Sequence, residues 1–432
     1  MVQYGYPVSD GEVMKKVLSV LIAIFLLVTS VSAALPPAAE SCPPFAAQSA
    51  GLYDVITGEF FYDKNVDGSV PAAFTVKVMT VLLACESLQT EAAVIVKEGF
   101  FDGVVYHSGL DFKTGETVTV KDLYYAVLVK NANEACNILA LATGKTVEEF
   151  VASMNEKAKA LGMTATHFAD THGESSESYT TARDAVNLLT AFIQKEELLN
   201  ISDTTFYRMP ATDMSEERLM YSSNLFIGSG EYGYSRAVGI KNHYANTGGY
   251  SQGVYSTFNG MQVIAVVFHA GNDAASHYGQ LQAGLEWVRT NYQRITVLKQ
   301  GMICDSTRVI LCRNTDTVML MSGEDLLYVV PTDYDSSLIE LTVEAPDEVE
   351  APVREGDELG SITVTYDGTV IGTVPALAGQ TADRDAGMTI RYRLQQFFSH
   401  PAVVVLIVMS VIALAVFVGY VILYNKKKRR KK

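Results

Sequence analysis

Few residues in this chain are placed to do chemistry, and they are scattered. Lys77 stands in an almost uninterrupted apolar run from Thr75 to Leu88, and a lysine carried into a core needs a partner. A serine one helical turn before a lysine would project from the same helix face and make a nucleophile–base pair. No lysine in the chain has serine three residues earlier; before Lys77 that place is Phe74. Gly144-Lys145-Thr146 resembles the end of a phosphate loop but lacks its leading glycine, and reads as a turn into a helix. The seven histidines and five cysteines form no C-x-x-C and no close His/Cys set, so neither a metal site nor a cofactor is expected. Cys85 and Cys136 lie in apolar helical stretches as buried thiols. Cys304 and Cys312 flank a strand-like run and could pair in an oxidising compartment.

The elements around these residues alternate between strand and helix. Leu52 to Val55 and Glu59 to Tyr62 read as two strands about Thr57-Gly58. Helical patterns follow over Thr75 to Leu88, Val120 to Ala142, Thr146 to Ala160 and Thr181 to Lys195. Strands return at Gly253 to Phe258 and Met261 to His269, joined by Asn259-Gly260, a strong hairpin signal. A closing helix spans His277 to Thr290. The fold class is α/β (α+β), an antiparallel sheet covered by helices. Beyond Arg294, short alternating stretches such as Thr317 to Leu320 and Ser361 to Val364 predict a small all-β domain. Met388 to His400 then makes an amphipathic lead-in to a final apolar segment.

That segment, Pro401 to Tyr424, carries no charge and is followed by seven basic residues, Lys426 to Lys432. It is long enough to span a bilayer, with the basic tail cytoplasmic. Near the other end, Lys15-Lys16 precede a short apolar run, Val17 to Val28, and then Val31-Ser32-Ala33. This is the pattern of a cleaved signal peptide over residues 14–33. The body between would stand outside the cytoplasm, tethered at its C-terminus. Without the four charges ahead of the first apolar run and the seven of the tail it holds 24 cations against 46 anions, a net charge near −22. Such a surface argues against nucleic acid or anionic lipid as the main partner.

Several stretches together resemble one family, the low-molecular-weight penicillin-binding proteins that act as D-alanyl-D-alanine carboxypeptidases (peptidase S11). They include Thr57-Gly58-Glu59 with Lys64-Asn65, Pro71-Ala72, Glu149-Phe150-Val151 with Met154-Asn155 and Leu161-Gly162-Met163, Tyr179 to Asp184, and Ala351 to Asp357. The resemblance implies a serine β-lactamase/DD-peptidase-like domain over residues 45–296, a C-terminal β domain over 297–385, a transmembrane helix over 401–424 and a basic tail over 425–432. Activity in the family depends on S-x-x-K, S-x-N and K-T-G. The first aligns with Phe74-Thr75-Val76-Lys77, which retains the base position Lys77 and loses the nucleophile at Phe74. Thr75 is no easy substitute, being roughly 100° away on the helix. The second aligns with Asn131-Ala132-Asn133. There Asn133 can still bond a substrate amide, while Asn131 replaces a hydroxyl that relays a proton. The third aligns with Lys241-Asn242-His243. Lys241 can attract a terminal carboxylate and Asn242 can donate a hydrogen bond, but His243 replaces a glycine and should crowd the acyl-oxygen slot. Lys113-Thr114-Gly115 spells the third motif yet precedes the second, in a turn.

Three functions are compatible with this pattern. The leading one is a non-catalytic relative on the outer face of the cell membrane, holding peptidoglycan stem peptides or another cell-wall enzyme, since losing the nucleophile costs about 10⁶ in turnover. The second is a hydrolase still active through a water or Thr75, with Lys77 as base. The third is an interaction module whose pocket is filled by Phe74 and His243.

Overall fold

The computed structural model describes residues 35–429 apart from 39 and 246–248. The signal-peptide expectation therefore lies outside the described residues. The chain divides into two compact units, one comprising residues 32–295 with 328–334, the other the C-terminal residues 296–327 and 335–432.

The first unit is built on five antiparallel strands: β1 (Ser49–Asp54), β2 (Glu59–Lys64), β3 (Ala237–Ala245), β4 (Gly249–Phe258) and β5 (Met261–Phe268). Their order is β2-β1-β5-β4-β3, so the two ends of the unit's chain meet at the centre of the sheet, with β1 on β5. The β4–β5 hairpin turns at Asn259 and Gly260, both at positive φ, 51° and 75°. That is the backbone a two-residue turn of this hand requires, and Asn-Gly supplies it at least strain.

Helices α1 (Phe74–Ser87), α2 (Val120–Leu128), α3 (Asn133–Ala142), α4 (Val147–Ala160), α5 (Ala182–Ile193) and α6 (Glu196–Ser202) follow β2, and α7 (Ala274–Asn291) follows β5. The starts of α2, α4 and α5 are set by Thr119, Thr146 and Thr181, whose side chains each accept the backbone N–H three residues on. In the first two, Asp122 and Glu149 return a bond to the cap and close a capping box. Helix α1 is apolar on all sides and buried from Phe74 through Leu82, which makes it the core of the unit. The helical stretch expected over Val120 to Ala142 is two helices. The break falls at Asn131, whose φ of 65° cannot continue a helix.

The second unit carries a six-stranded sheet in the order Ile339–Glu344, Glu358–Tyr366, Thr369–Ala378, Thr317–Ser322, Ile303–Ile310, Glu348–Glu350, the last pair parallel. This is the all-β domain expected from the alternating stretches. Its core is apolar around Val309, Val318, Val353 and Ala378. Helices α8 (Ala386–Ser399) and α9 (Pro401–Arg429) complete it, and Pro401–Leu423 is long and apolar enough to cross a membrane. All five cysteines are free thiols, Cys304 and Cys312 included, and Cys85 is only partly buried.

Candidate active site

The first turn of α1 is where the chain departs most from the chemistry that its lysine invites. Ala73, the residue before the helix, holds φ 49° and ψ −121°, a strained conformation of the kind that persists at functional sites. Phe74 follows as the first helical residue and is wholly buried. Its ring stacks on Phe268 of β5 at 5.2 Å and 22°. The ring has room because Gly253 lies beneath it on β4; a Cβ there would come within 2.9 Å of the ring and 2.6 Å of Leu189. Phe74 is thus part of the core between α1 and the sheet. Thr75 is buried too, and its hydroxyl donates to the Ala72 carbonyl.

One turn on, Lys77 faces elsewhere. It lines a cavity of about 740 Å³ together with Asn131 and Asn133 from the α2–α3 junction, Tyr106, Gly173 and Glu174 from two loops, Ser223, Asn242 to Ala245 at the end of β3, and Tyr250 of β4. Among the described residues Phe74 does not line the cavity, and His243 forms part of its wall. Of the residues picked out in sequence, Lys77, Asn131, Asn133, Asn242 and His243 meet there. Lys241 lies behind the wall, fully buried, with Nζ donating to the Leu128 carbonyl at 3.1 Å.

The amines share one environment. Lys77 Nζ donates to the His172 carbonyl, and burial pulls its pKa down, against the pull of Cys136, Asp170, Glu174 and Glu134. Burial holds Lys241 well below its ordinary value, and Lys77 adds to it. His243 is held neutral, its pKa lowered to about 3 by burial and by the two lysines. Each amine rests on a backbone carbonyl, so neither is locked into an ion pair.

The amides are already engaged. Asn131 Nδ2 donates to Ser223 Oγ at 2.7 Å and to Asn242 Oδ1 at 3.4 Å, while Asn131 Oδ1 is buried without a partner. Asn242 Nδ2 donates to the Ser223 carbonyl at 2.7 Å. Asn133 Nδ2 donates to Glu174 Oε1 at 2.6 Å and to the Tyr106 carbonyl at 3.1 Å. Ser223 supplies the one serine hydroxyl of the described lining. Its partners are Asn131, Asn242 and the Val129 carbonyl, none of them a base.

Glu174, Ser223 and Tyr106 were not singled out in sequence. Glu174 reaches Asn133 across 41 residues, through a turn at Gly173 (φ 88°) whose amides, with those of Glu174 and Ser175, bond to Asp170. The pairing is long-range and leaves no local signal. Lys113-Thr114-Gly115 contributes nothing to the cavity.

Comparison with known proteins fits this geometry. Residues 37–272 match the D-alanyl-D-alanine carboxypeptidase family (peptidase S11), and residues 292–384 match the C-terminal domain of penicillin-binding protein 5. The chain belongs to this carboxypeptidase family. Among curated relatives, the D-alanyl-D-alanine carboxypeptidase DacF of Bacillus subtilis is 25% identical over 388 residues, covering 88% of this chain and 98% of its own. DacC of Escherichia coli is 25% identical over 353 residues, covering 79% and 85%. Penicillin-binding protein 5 of Haemophilus influenzae shares the fold, with a TM-score of 0.63 at 21% identity over 80% of this chain and all of that one.

Proposed function

We propose that this family member is anchored in the cell membrane by α9, stands outside the cytoplasm, and holds wall peptides in its cavity without cleaving them. The observation that carries this reading is Phe74, a ring stacked in the core where the family's motif has its nucleophile. Asn131 and His243 support it, since an amide cannot relay a proton at neutral pH and an imidazole stands at a position that family members leave to glycine. The open cavity beside a retained lysine favours a binder over an inert scaffold. The signal pattern and the uncharged C-terminal segment with its basic tail support the topology.

The test is to incubate the full-length protein in detergent with benzylpenicillin and read its intact mass, then titrate it with a peptide ending in D-Ala-D-Ala. The proposal expects no covalent adduct, no D-alanine released, and saturable binding of the intact peptide. An adduct on folded protein would overturn it and make the chain an acylating enzyme whose nucleophile lies elsewhere than position 74, which Phe74 occupies.

A further inference from the structure

The six-stranded sheet of the second unit ends in an open strand. Ile339–Glu344 stands first in the strand order and is paired along one side only, with Glu358–Tyr366. The register is unbroken over all six residues, from Ile339 on Tyr366 to Glu344 on Ser361. Such an edge is a template for a further strand, and proteins ordinarily blunt it with lysine, proline or a bulge. Ile339–Glu344 contains none of the three.

The outward groups of this edge follow from its pairing. The Leu338 carbonyl accepts the Asp367 N–H. Alternation along an antiparallel ladder then commits Glu340, Thr342 and Glu344 to the neighbouring strand and turns the backbone groups of Ile339, Leu341 and Val343 to the free side. The Ile339 N–H is taken by the Ser336 carbonyl. Among the described residues, no backbone partner meets Leu341 or Val343 from the free side. The side chains alternate as well. Glu340, Thr342 and Glu344 are exposed on one face. Leu341 lies on the other, 44% exposed, while Val364 opposite it is buried.

Charge selects what this edge accepts. From Asp335 to Glu358 the chain carries nine carboxylates and one cation, Arg354. Glu348 pairs with Arg308, and Glu350 with Arg384 and Arg393. Among the described residues, Glu340 and Glu344 pair with no lysine or arginine. A second copy of this chain is disfavoured. The antiparallel register that uses both outward residues, Leu341 on Val343, sets Glu340 against Glu344, and like charges opposed across a sheet are destabilising. A strand with lysine or arginine facing the two glutamates and apolar residues between them meets the opposite condition.

We propose that Ile339–Glu344 is a docking edge for an extended basic segment of a partner protein. The segment adds as an antiparallel strand, with cations on Glu340 and Glu344 and an apolar residue on Leu341. The site lies in the C-terminal domain and does not depend on what the cavity of the first unit holds. If the edge carboxylates served only to keep strands apart, they would recruit no such segment.

The experiment titrates full-length protein in detergent into fluorescein-labelled threonyl-lysyl-valyl-threonyl-valyl-lysyl-threoninamide and reads fluorescence anisotropy. A second peptide is N-methylated at both valines, which keeps its charge and removes the N–H groups that would bond the Leu341 and Val343 carbonyls. The first peptide should bind saturably, and the N-methylated one about tenfold more weakly. The double variant Glu340→Lys, Glu344→Lys should bind the first peptide about tenfold more weakly than the unaltered protein does. Equal affinity for the two peptides overturns the proposal, because it leaves only attraction between a cationic peptide and an acidic surface. Undiminished binding by the double variant overturns it by placing the peptide elsewhere. So does a first peptide that never saturates. Should the double variant fail to fold, the two peptides on the unaltered protein still decide.

Discussion

Phe74 and Lys77 stand three residues apart on one helix and face two different environments. Phe74 belongs to the packed layer between α1 and the sheet, stacked on Phe268 over Gly253. Lys77 opens onto the cavity and carries a hydrogen-bonded amine with a depressed pKa. The packed side has taken Phe74 into the core, whereas the open side keeps its polar groups. A position surrendered to the core gains apolar burial, while a polar group at a cavity wall has to be satisfied by the protein or by a ligand. A buried ring and a cavity-lining amine are therefore compatible in one helical turn.

The sharpest way to break this comparison is Phe74→Ser. If the ring is a core residue, the variant loses its burial and leaves a cavity, costing about 3–5 kcal/mol by analogy with other large-to-small core changes. Denaturant unfolding of the full-length protein in detergent would read this directly. A loss below about 1 kcal/mol, the size of an ordinary surface change, would place the ring outside the core and return position 74 to the cavity.

Lys241 extends the comparison to a polar group that is buried behind the wall. Its folded-state pKa lies well below the ordinary value of 10.5, because burial penalises the ammonium. The unfolded chain then binds a proton that the folded chain releases. Stability accordingly rises with pH through the window between the depressed pKa and 10.5, and the cost of burying the lysine is fully present below that window. Lys241→Met should raise stability at neutral pH, by on the order of 1 kcal/mol or more, and flatten the alkaline rise. Thermal melts between neutrality and pH 10 separate the two profiles. A less stable methionine variant would mean that the Leu128 bond outweighs the desolvation.

Much of this architecture is legible in residue patterns, and the illegible parts have common physical causes. The Asn259-Gly260 hairpin, the apolar α1 and the alternating C-terminal strands are local signals, and each forms where its pattern lies. The run from Thr75 to Leu88 did not reveal which way the side chain just before it points, because Phe74 depends on Gly253 and Phe268, almost 180 residues or more away in the chain. The cavity's carboxylate was equally silent, since Glu174 meets Asn133 only after the intervening helix and loops fold. The run Val120 to Ala142 looked continuous because Asn131 is a tolerable residue in a helical pattern. Its positive φ is set by tertiary contacts with Ser223 and Asn242. The family motifs thus picked out five of the twelve described lining residues, while the rest of the wall and the direction and engagement of each side chain came only from the fold.

Asn131 provides the finest division between the two environments, because its backbone and its side chain can be tested separately. Asparagine tolerates the left-handed conformation better than alanine does. Asn131→Ala therefore loses the bonds to Ser223 and Asn242 and also imposes a Cβ-bearing residue of the wrong preference at φ 65°. Asn131→Gly loses the same bonds but meets no steric penalty. The expected costs are about 2 kcal/mol for alanine and about 1 kcal/mol for glycine, read as a difference in denaturant midpoint at constant slope. Both variants lose the side-chain bonds alike, so the difference between them isolates the cost of the backbone conformation. Equal midpoints for the two variants would mean that the lost bonds alone set the cost and that φ 65° imposes no strain on alanine there.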